Sequence, residues 1–165
     1  MDLGVHDLDL LMWWLGDYES VVYRDDSVGG VEANCELELT LRNGISGIVE
    51  LSRTRTLRNS CIIWGERGAL EIGTSVNPLV RLTPNQGETP LTGRGAVAGR
   101  VEATFPDTFA RQLSDFAECV RSGRRPFVSA EDARRVIGLV EACYAVRQPV
   151  VQPWAASPAS RETRP

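Results

Sequence analysis

The chain has 165 residues and a net charge of −4, with 42% hydrophobic and 24% charged residues, a balance ordinary for one globular domain. A pI near 5.1 and the lack of any basic run speak against nucleic-acid binding. No apolar stretch reaches the length of a membrane span and no signal peptide is visible, so a cytoplasmic location is expected.

The first sixteen residues carry the most chemistry. Asp2, His6 and Asp9 are spaced i, i+4, i+7, which places them on one face of a helix. The apolar run Leu10–Leu15 reads as core packing, and Gly16 stands where a helix C-cap is expected. His6 is the only histidine. A carboxylate one turn away can orient its ring and favour its charged form, which suits proton transfer near neutral pH. The same spacing also suits an ordinary surface pair or cap. All 18 basic residues are arginine, which excludes lysine Schiff-base chemistry and a lysine general acid within the chain.

Asp17–Glu19 reads as a connector and Ser20–Arg24 as a strand. Asp25-Asp26 and Gly29-Gly30 are turn material. Val31–Leu41 alternates, with Ala33, Cys35, Leu37, Leu39 and Leu41 on one side. Glu32, Asn34, Glu36, Glu38 and Thr40 make the polar side. Asn43-Gly44 then signals a hairpin, with Ile45–Arg55 as the return strand. Arg58–Gly65 and Ala69–Ile72 pair across a tight turn at Glu66-Arg67-Gly68. Leu79–Thr83 is a short strand between prolines. Residues 85–99 read as an exposed loop; their glycines open no helix, so they are not a dinucleotide fingerprint.

Residues 105–120 are expected to be helical, capped by Asp107 or Thr108, with Phe109, Leu113, Phe116 and Val120 as the apolar stripe. Gly123 and Pro126 end that helix. Ser129 caps the next one, which runs to about Arg147 with Val136, Ile137, Val140, Cys143 and Tyr144 facing inward. Residues 151–165 read as a disordered tail. Cys35, Cys61, Cys119 and Cys143 form no C-x-x-C pair, and one histidine cannot complete a usual zinc set. Reduced, mostly buried thiols and no metal are expected. One helix, then hairpin strands, then two helices indicate an α+β fold: an open, mostly antiparallel sheet with helices packed on one face.

The pattern D-x-G-x-H-x-x-D, from Asp2 to Asp9, leads into an apolar helix ending Trp14-Leu15-Gly16. It resembles the opening of the C-terminal domain of the glucose–fructose oxidoreductase/inositol dehydrogenase (Gfo/Idh/MocA) family. Gly65-Glu66-Arg67-Gly68 is similar to that domain's G-x-x-G hairpin. Ser122-Gly123-Arg124-Arg125-Pro126, Ser129-Ala130-Glu131-Asp132 and Ala142-Cys143-Tyr144 are similar to its closing helices. The resemblance spans residues 2–147, within a domain at 1–150. It implies that Asp2 and His6 line a sugar or polyol site, with His6 as acid/base and Asp2 orienting the hydroxyl. Asp9, Arg53 and Arg55 follow as substrate-binding candidates; Glu50 and Asn59 also lie on strands or loops where the family's specificity varies.

The same resemblance implies NAD or NADP for the full-length family, held by a nucleotide-binding half for which this sequence shows no residues; the cofactor is not expected to bind this chain alone. The family's Glu-Lys-Pro segment is also missing from the sequence. Three readings follow. The chain is the substrate-binding and oligomerisation half of an NAD(P)-dependent sugar or polyol oxidoreductase, truncated and inactive without a cofactor domain. Alternatively it is a stand-alone binding or scaffold module, or the partner of a separate Rossmann chain, with an exposed apolar patch around Trp13 and Trp14. Third, it is a non-redox isomerase or dehydratase. The resemblance further implies a homo-oligomer formed through the open face of the sheet.

Overall fold

The computed structural model describes residues 4–74, 79–86, 91–94 and 105–150. Asp2 and the expected tail at 151–165 lie outside the described residues. In chain order the elements are α1 (Gly4–Leu15), β1 (Tyr18–Asp25), β2 (Asn34–Leu41), β3 (Ser46–Ser52), β4 (Ser60–Gly65), β5 (Gly68–Gly73), β6 (Leu79–Pro84), β7 (Leu91–Arg94), α2 (Phe105–Ser122), α3 (Ala130–Ala145) and β8 (Gln148–Pro149). The strands make two open four-stranded sheets, ordered β3-β2-β1-β8 and β4-β5-β6-β7. Among the described residues all pairings are antiparallel except the two-residue contact of β8 with β1. The class is therefore α+β, as the order of elements predicts. The chain divides into two compact units, one from the residues up to Leu57 plus those from Val128, the other Arg58–Phe127.

In the first unit, α1 packs on α3 and α3 on β1. The period-two pattern of β2 is realised: Cys35, Leu37, Leu39 and Leu41 are buried and Glu38 is exposed. Leu8, Met12, Tyr23, Val136, Leu139 and Cys143 close the core from the other elements. Each large side chain so removed from water contributes about 2 kcal/mol. α1 ends where glycine predicts. Gly16 takes a φ of +107°, and its N–H donates to the Met12 carbonyl at 3.0 Å, a left-handed helix stop that other residues adopt only under strain.

The Asn43-Gly44 hairpin forms with three loop residues. The Leu41 N–H donates to the Ile45 carbonyl at 2.7 Å, and only Gly44 has positive φ, the form in which a type I turn closes on a left-handed residue. Asn43 is used elsewhere: its Nδ2 donates to the Leu15 carbonyl at 2.7 Å, capping the end of α1. Ser129 caps α3 as expected, in a reciprocal box with Asp132.

Several expectations need correction. β1 starts at Tyr18, not Ser20, because Tyr18 pairs with Leu41 across a register shift. β2 starts at Asn34, not Val31, because the Asp26 carboxylate takes the N–H groups of Ala33 and Asn34, both at 2.9 Å, and holds that stretch as a loop. Asn34 is buried although its place in the alternation assigns it to solvent. The span read as a loop contains β7, whose Leu91 pairs with Leu82; four residues are too few to show a period. α2 starts at Phe105, so Asp107 and Thr108 lie inside it and are not its cap; proline is tolerated in a first helical turn. Phe109, Leu113, Phe116 and Val120 are exposed, since periodicity identifies an apolar face without saying what covers it. In α3, Ile137 and Tyr144 are partly exposed and Leu139 is fully buried.

Three of the four cysteines, Cys35, Cys119 and Cys143, are buried, and all four are thiols outside any disulfide. Burial pushes the Cys35 thiol up to about 11 and the Cys143 thiol up to about 12, so both are poor nucleophiles. Among the described residues no helix is long and apolar enough to cross a membrane.

Candidate functional site

α1 divides its residues by face. Gly4, Leu8 and Met12, four apart, are buried. His6, Asp9 and Trp13 fall on another face and are exposed, with Trp13 62% exposed and Trp14 partly buried. His6 is thus not a core histidine. His6 and Asp9 lie on adjacent turns of one exposed face, as their spacing predicts. Asp2, the expected partner of His6, lies outside the described residues.

Arg53 and Arg55 lie on the corner that follows β3. The Arg53 N–H donates to the Ala33 carbonyl at 2.8 Å and its side chain is exposed. Arg55 is half-buried, with Nη1 3.6 Å from the Glu50 carboxylate. The two groups of candidates, His6 with Asp9 and Arg53 with Arg55, belong to the same unit.

Two polar clusters escaped the sequence reading. The first is built on Asn34. Its Nδ2 donates to Asp26 Oδ2 at 2.5 Å. Its Oδ1 accepts from Ser52 Oγ at 2.5 Å and Thr54 Oγ1 at 2.9 Å. Ser52 Oγ in turn accepts from the backbone N–H of Arg55 at 2.7 Å and of Thr54 at 3.2 Å. Burial raises the Asp26 carboxyl, but the Asn34 amide and the backbone N–H groups outweigh it, and the net shift is downward.

The second cluster is built on Asp25, which is 1% exposed. Arg147 Nε donates to both of its oxygens at 2.8 Å, and Ser27 donates to Oδ1 from its N–H at 2.9 Å and its Oγ at 2.8 Å. Burial raises the Asp25 carboxyl; Arg147 and Ser27 lower it further, and it settles at about 2. Tyr23 is fully buried against Tyr144 in an edge-on contact with centroids 5.7 Å apart. The Tyr144 hydroxyl donates to Glu32 at 3.0 Å. Desolvation pushes the Tyr144 phenol up to about 12 and the Tyr23 phenol higher still, so neither ionises near neutral pH. This cluster fastens the end of α3 and β8 to β1. The only sequence signal for it is a pair of adjacent aspartates at a strand end.

Among the described residues no glycine-rich turn leads from a strand into a helix, the arrangement by which dinucleotide-binding folds present N–H groups to a pyrophosphate. No group of three His, Cys, Asp or Glu side chains among them is placed to hold a metal ion.

The family model "Oxidoreductase family, C-terminal alpha/beta domain" (Gfo/Idh/MocA) matches residues 1–150. Myo-inositol 2-dehydrogenase of Thermotoga maritima is 24% identical over 147 residues, covering 83% of this chain and 43% of that enzyme. A shorter match, 40% identical over 70 residues, covers 42% of this chain and 12% of paraspeckle component 1 of Danio rerio. Among solved structures, the 3-ketoreductase KijD10 of Actinomadura kijaniata, determined with TDP-benzene and NADP, superposes with a TM-score of 0.70 at 21% identity, covering 92% of this chain and 48% of its own. UDP-N-acetylglucosamine 3-dehydrogenase GnnA of Acidithiobacillus ferrooxidans gives 0.66 at 19% identity, covering 89% and 46%. The chain spans less than half the length of these relatives.

Proposed function

The chain belongs to the Gfo/Idh/MocA oxidoreductase family, as its C-terminal α/β domain, and from that premise we propose that it forms the substrate side of an NAD(P)-dependent sugar or polyol oxidoreductase. The observation that carries this reading is the exposure of His6 on a face of α1 turned away from Leu8 and Met12. A histidine placed there by a packed helix is held in position yet open to a ligand. This chain acts at the substrate hydroxyl. His6 accepts its proton as the carbon is oxidised and returns it on reduction; Asp2, four residues earlier in the sequence, orients the ring and favours its charged form. NAD or NADP, held by a nucleotide-binding domain in the same or another polypeptide, carries the hydride. Asp9, Arg53 and Arg55 contact the remainder of the substrate. The open face of the β3-β2-β1 sheet, where Ile48 is 70% exposed, is the surface through which copies of the chain associate.

The experiment is His6→Ala in the chain joined to a family nucleotide-binding domain, followed by NAD(P)H formation on sugars and polyols. General acid–base catalysis is worth about 10²- to 10⁴-fold. A loss of that size with an unchanged circular dichroism spectrum supports the role; unchanged turnover removes His6 from the mechanism. A second reading, a binding module for a separate cofactor-binding chain, draws on the 62% exposure of Trp13, two turns from His6 on the same face of α1. In that case the separately expressed chains co-purify and activity appears only on mixing.

A further inference from the structure

The outward side chains of the first sheet fall into cross-strand rows. Residues paired across β1, β2 and β3 are Ser20–Thr40–Ser46, Val22–Glu38–Ile48 and Arg24–Glu36–Glu50. The residues between them on the strands, Tyr23, Leu37 and Leu39 among them, are in the core, so the rows stand on the opposite face of the pleat. The rows differ in length and chemistry. The first is short and hydroxylated, and a groove of about 430 Å³ lies over it, walled by Val22, Glu38 and Ile48. The middle row carries the apolar Val22 and Ile48, 37% and 70% exposed. The third is long and charged, and Arg24 Nη1 lies 3.3 Å from Glu36 and 2.6 Å from Glu38.

A groove and a ridge on one face, either side of an apolar row, are what a two-fold contact needs, because each patch meets its counterpart twice. Packed sheets stand about 10 Å apart, and a gap of that width closes to interior density only where long side chains meet short ones. Two directions of two-fold axis are open to such a face. An axis along the strands sets each row against itself, charged ridge on charged ridge and groove on groove. An axis across the strands, through the middle row, sets the ridge of one copy over the groove of the other. Arg24, Glu36 and Glu50 then lie over Ser20, Thr40 and Ser46, Val22 meets Val22, and Ile48 meets Ile48. Hydroxyls both donate and accept, so they pair with the guanidinium and the carboxylates alike. Glu38 also meets its own copy, with its charge engaged by Arg24 at 2.6 Å.

We propose that the open face of this sheet joins a second copy of the chain about a two-fold axis running across the strands, with the charged row of each copy seated in the groove of the other. The inference rests on the reading that copies associate through this face, and adds the geometry of their contact.

The test is cross-linking of the whole chain with a short bismaleimide. Cys35, Cys119 and Cys143 are buried, and Cys61→Ser removes the remaining thiol from the background. Ile48→Cys is expected to give a covalent dimer, and Thr40→Cys alone none. Thr40→Cys mixed with Glu36→Cys should give a mixed dimer. In sedimentation runs Thr40→Trp, which fills the groove, should weaken self-association about 10-fold or more. Glu36→Ala in the same chain should restore part of that loss, because it empties the position opposite. Circular dichroism checks that each variant keeps its fold. A parent chain that is a dimer, but links through Thr40→Cys and not through Ile48→Cys, overturns the axis and leaves the interface. Thr40→Trp without effect on a dimeric parent overturns the seating of ridge in groove. A monomeric parent, or a dimer in which neither variant links, overturns the association through this face and the proposal with it.

Discussion

Acidification should remove the stabilisation that ionised Asp25 draws from Arg147 and Ser27. The Asp25 carboxyl titrates at about 2 in the folded chain, against 3.8 for the ordinary group. Each tenfold change in proton affinity is worth about 1.4 kcal/mol, so the folded state's preference for ionised Asp25 contributes about 2.5 kcal/mol. Its folded value is depressed, so the contribution is complete above pH 4–5 and disappears as the pH falls from about 4 to about 2. The perturbation that isolates it is Asp25→Asn, which keeps the shape and removes the titration. Other carboxylates, among them Asp26, Glu32 and Asp115, are also lowered; the difference between parent and variant cancels them. Urea unfolding followed by tryptophan fluorescence at pH 7, 5, 4, 3 and 2 gives that difference. It should be about 2.5 kcal/mol or more at pH 7, because Arg147 loses its anion as well, and should shrink steadily below pH 4. A difference that stays constant from pH 7 to pH 2 would refute the reasoning, since it would mean that Asp25 titrates alike in folded and unfolded chains.

Two further outcomes can be checked directly. A Cβ at Gly68 would stand 2.4 Å from the Thr83 carbonyl oxygen, a backbone atom that cannot turn aside, so Gly68→Ala should displace β5 from β6 and cost about 1–3 kcal/mol; an unchanged melting temperature would contradict the close approach. Association through the open sheet face predicts a dimer or larger mass by light scattering at micromolar concentration, reduced by Ile48→Lys; a monomeric mass for the parent chain removes the interface.

What could be read in advance depended on how far along the chain the cause lay. The exposed face of α1 was legible because a helix brings residues three and four apart together without help from the rest of the chain, and His6, Asp9, Leu8 and Met12 obey that geometry. The capping box of Ser129 and Asp132 and the glycine stop at Gly16 are local in the same way. Asn34 was assigned to solvent because alternation alone decides that face; its burial comes from Thr54, twenty residues on, and from Asp26. The partner of Asp25 is 122 residues away, and no local pattern identifies it. Burial of the α2 stripe was expected from periodicity, but Phe116 and Val120 remain open: an amphipathic pattern marks a face that can be covered, whereas burial needs a surface to cover it.

The same distinction bears on the candidate site. His6 owes its outward direction to contacts that do not involve it. Leu8 and Met12 are buried against the core, and the Asn43 amide holds the Leu15 carbonyl at the far end of α1, so the helix cannot roll without breaking both. A site built this way tolerates change at His6 itself with little effect on stability, because an exposed side chain contributes little to packing. It is sensitive instead to Leu8, whose truncation opens a cavity costing about 2–5 kcal/mol and frees the helix to turn His6 from its place. If the proposed role of His6 holds, stability and chemistry are carried by different faces of one helix. Substitutions on the exposed face can report on catalysis without first having to be corrected for unfolding.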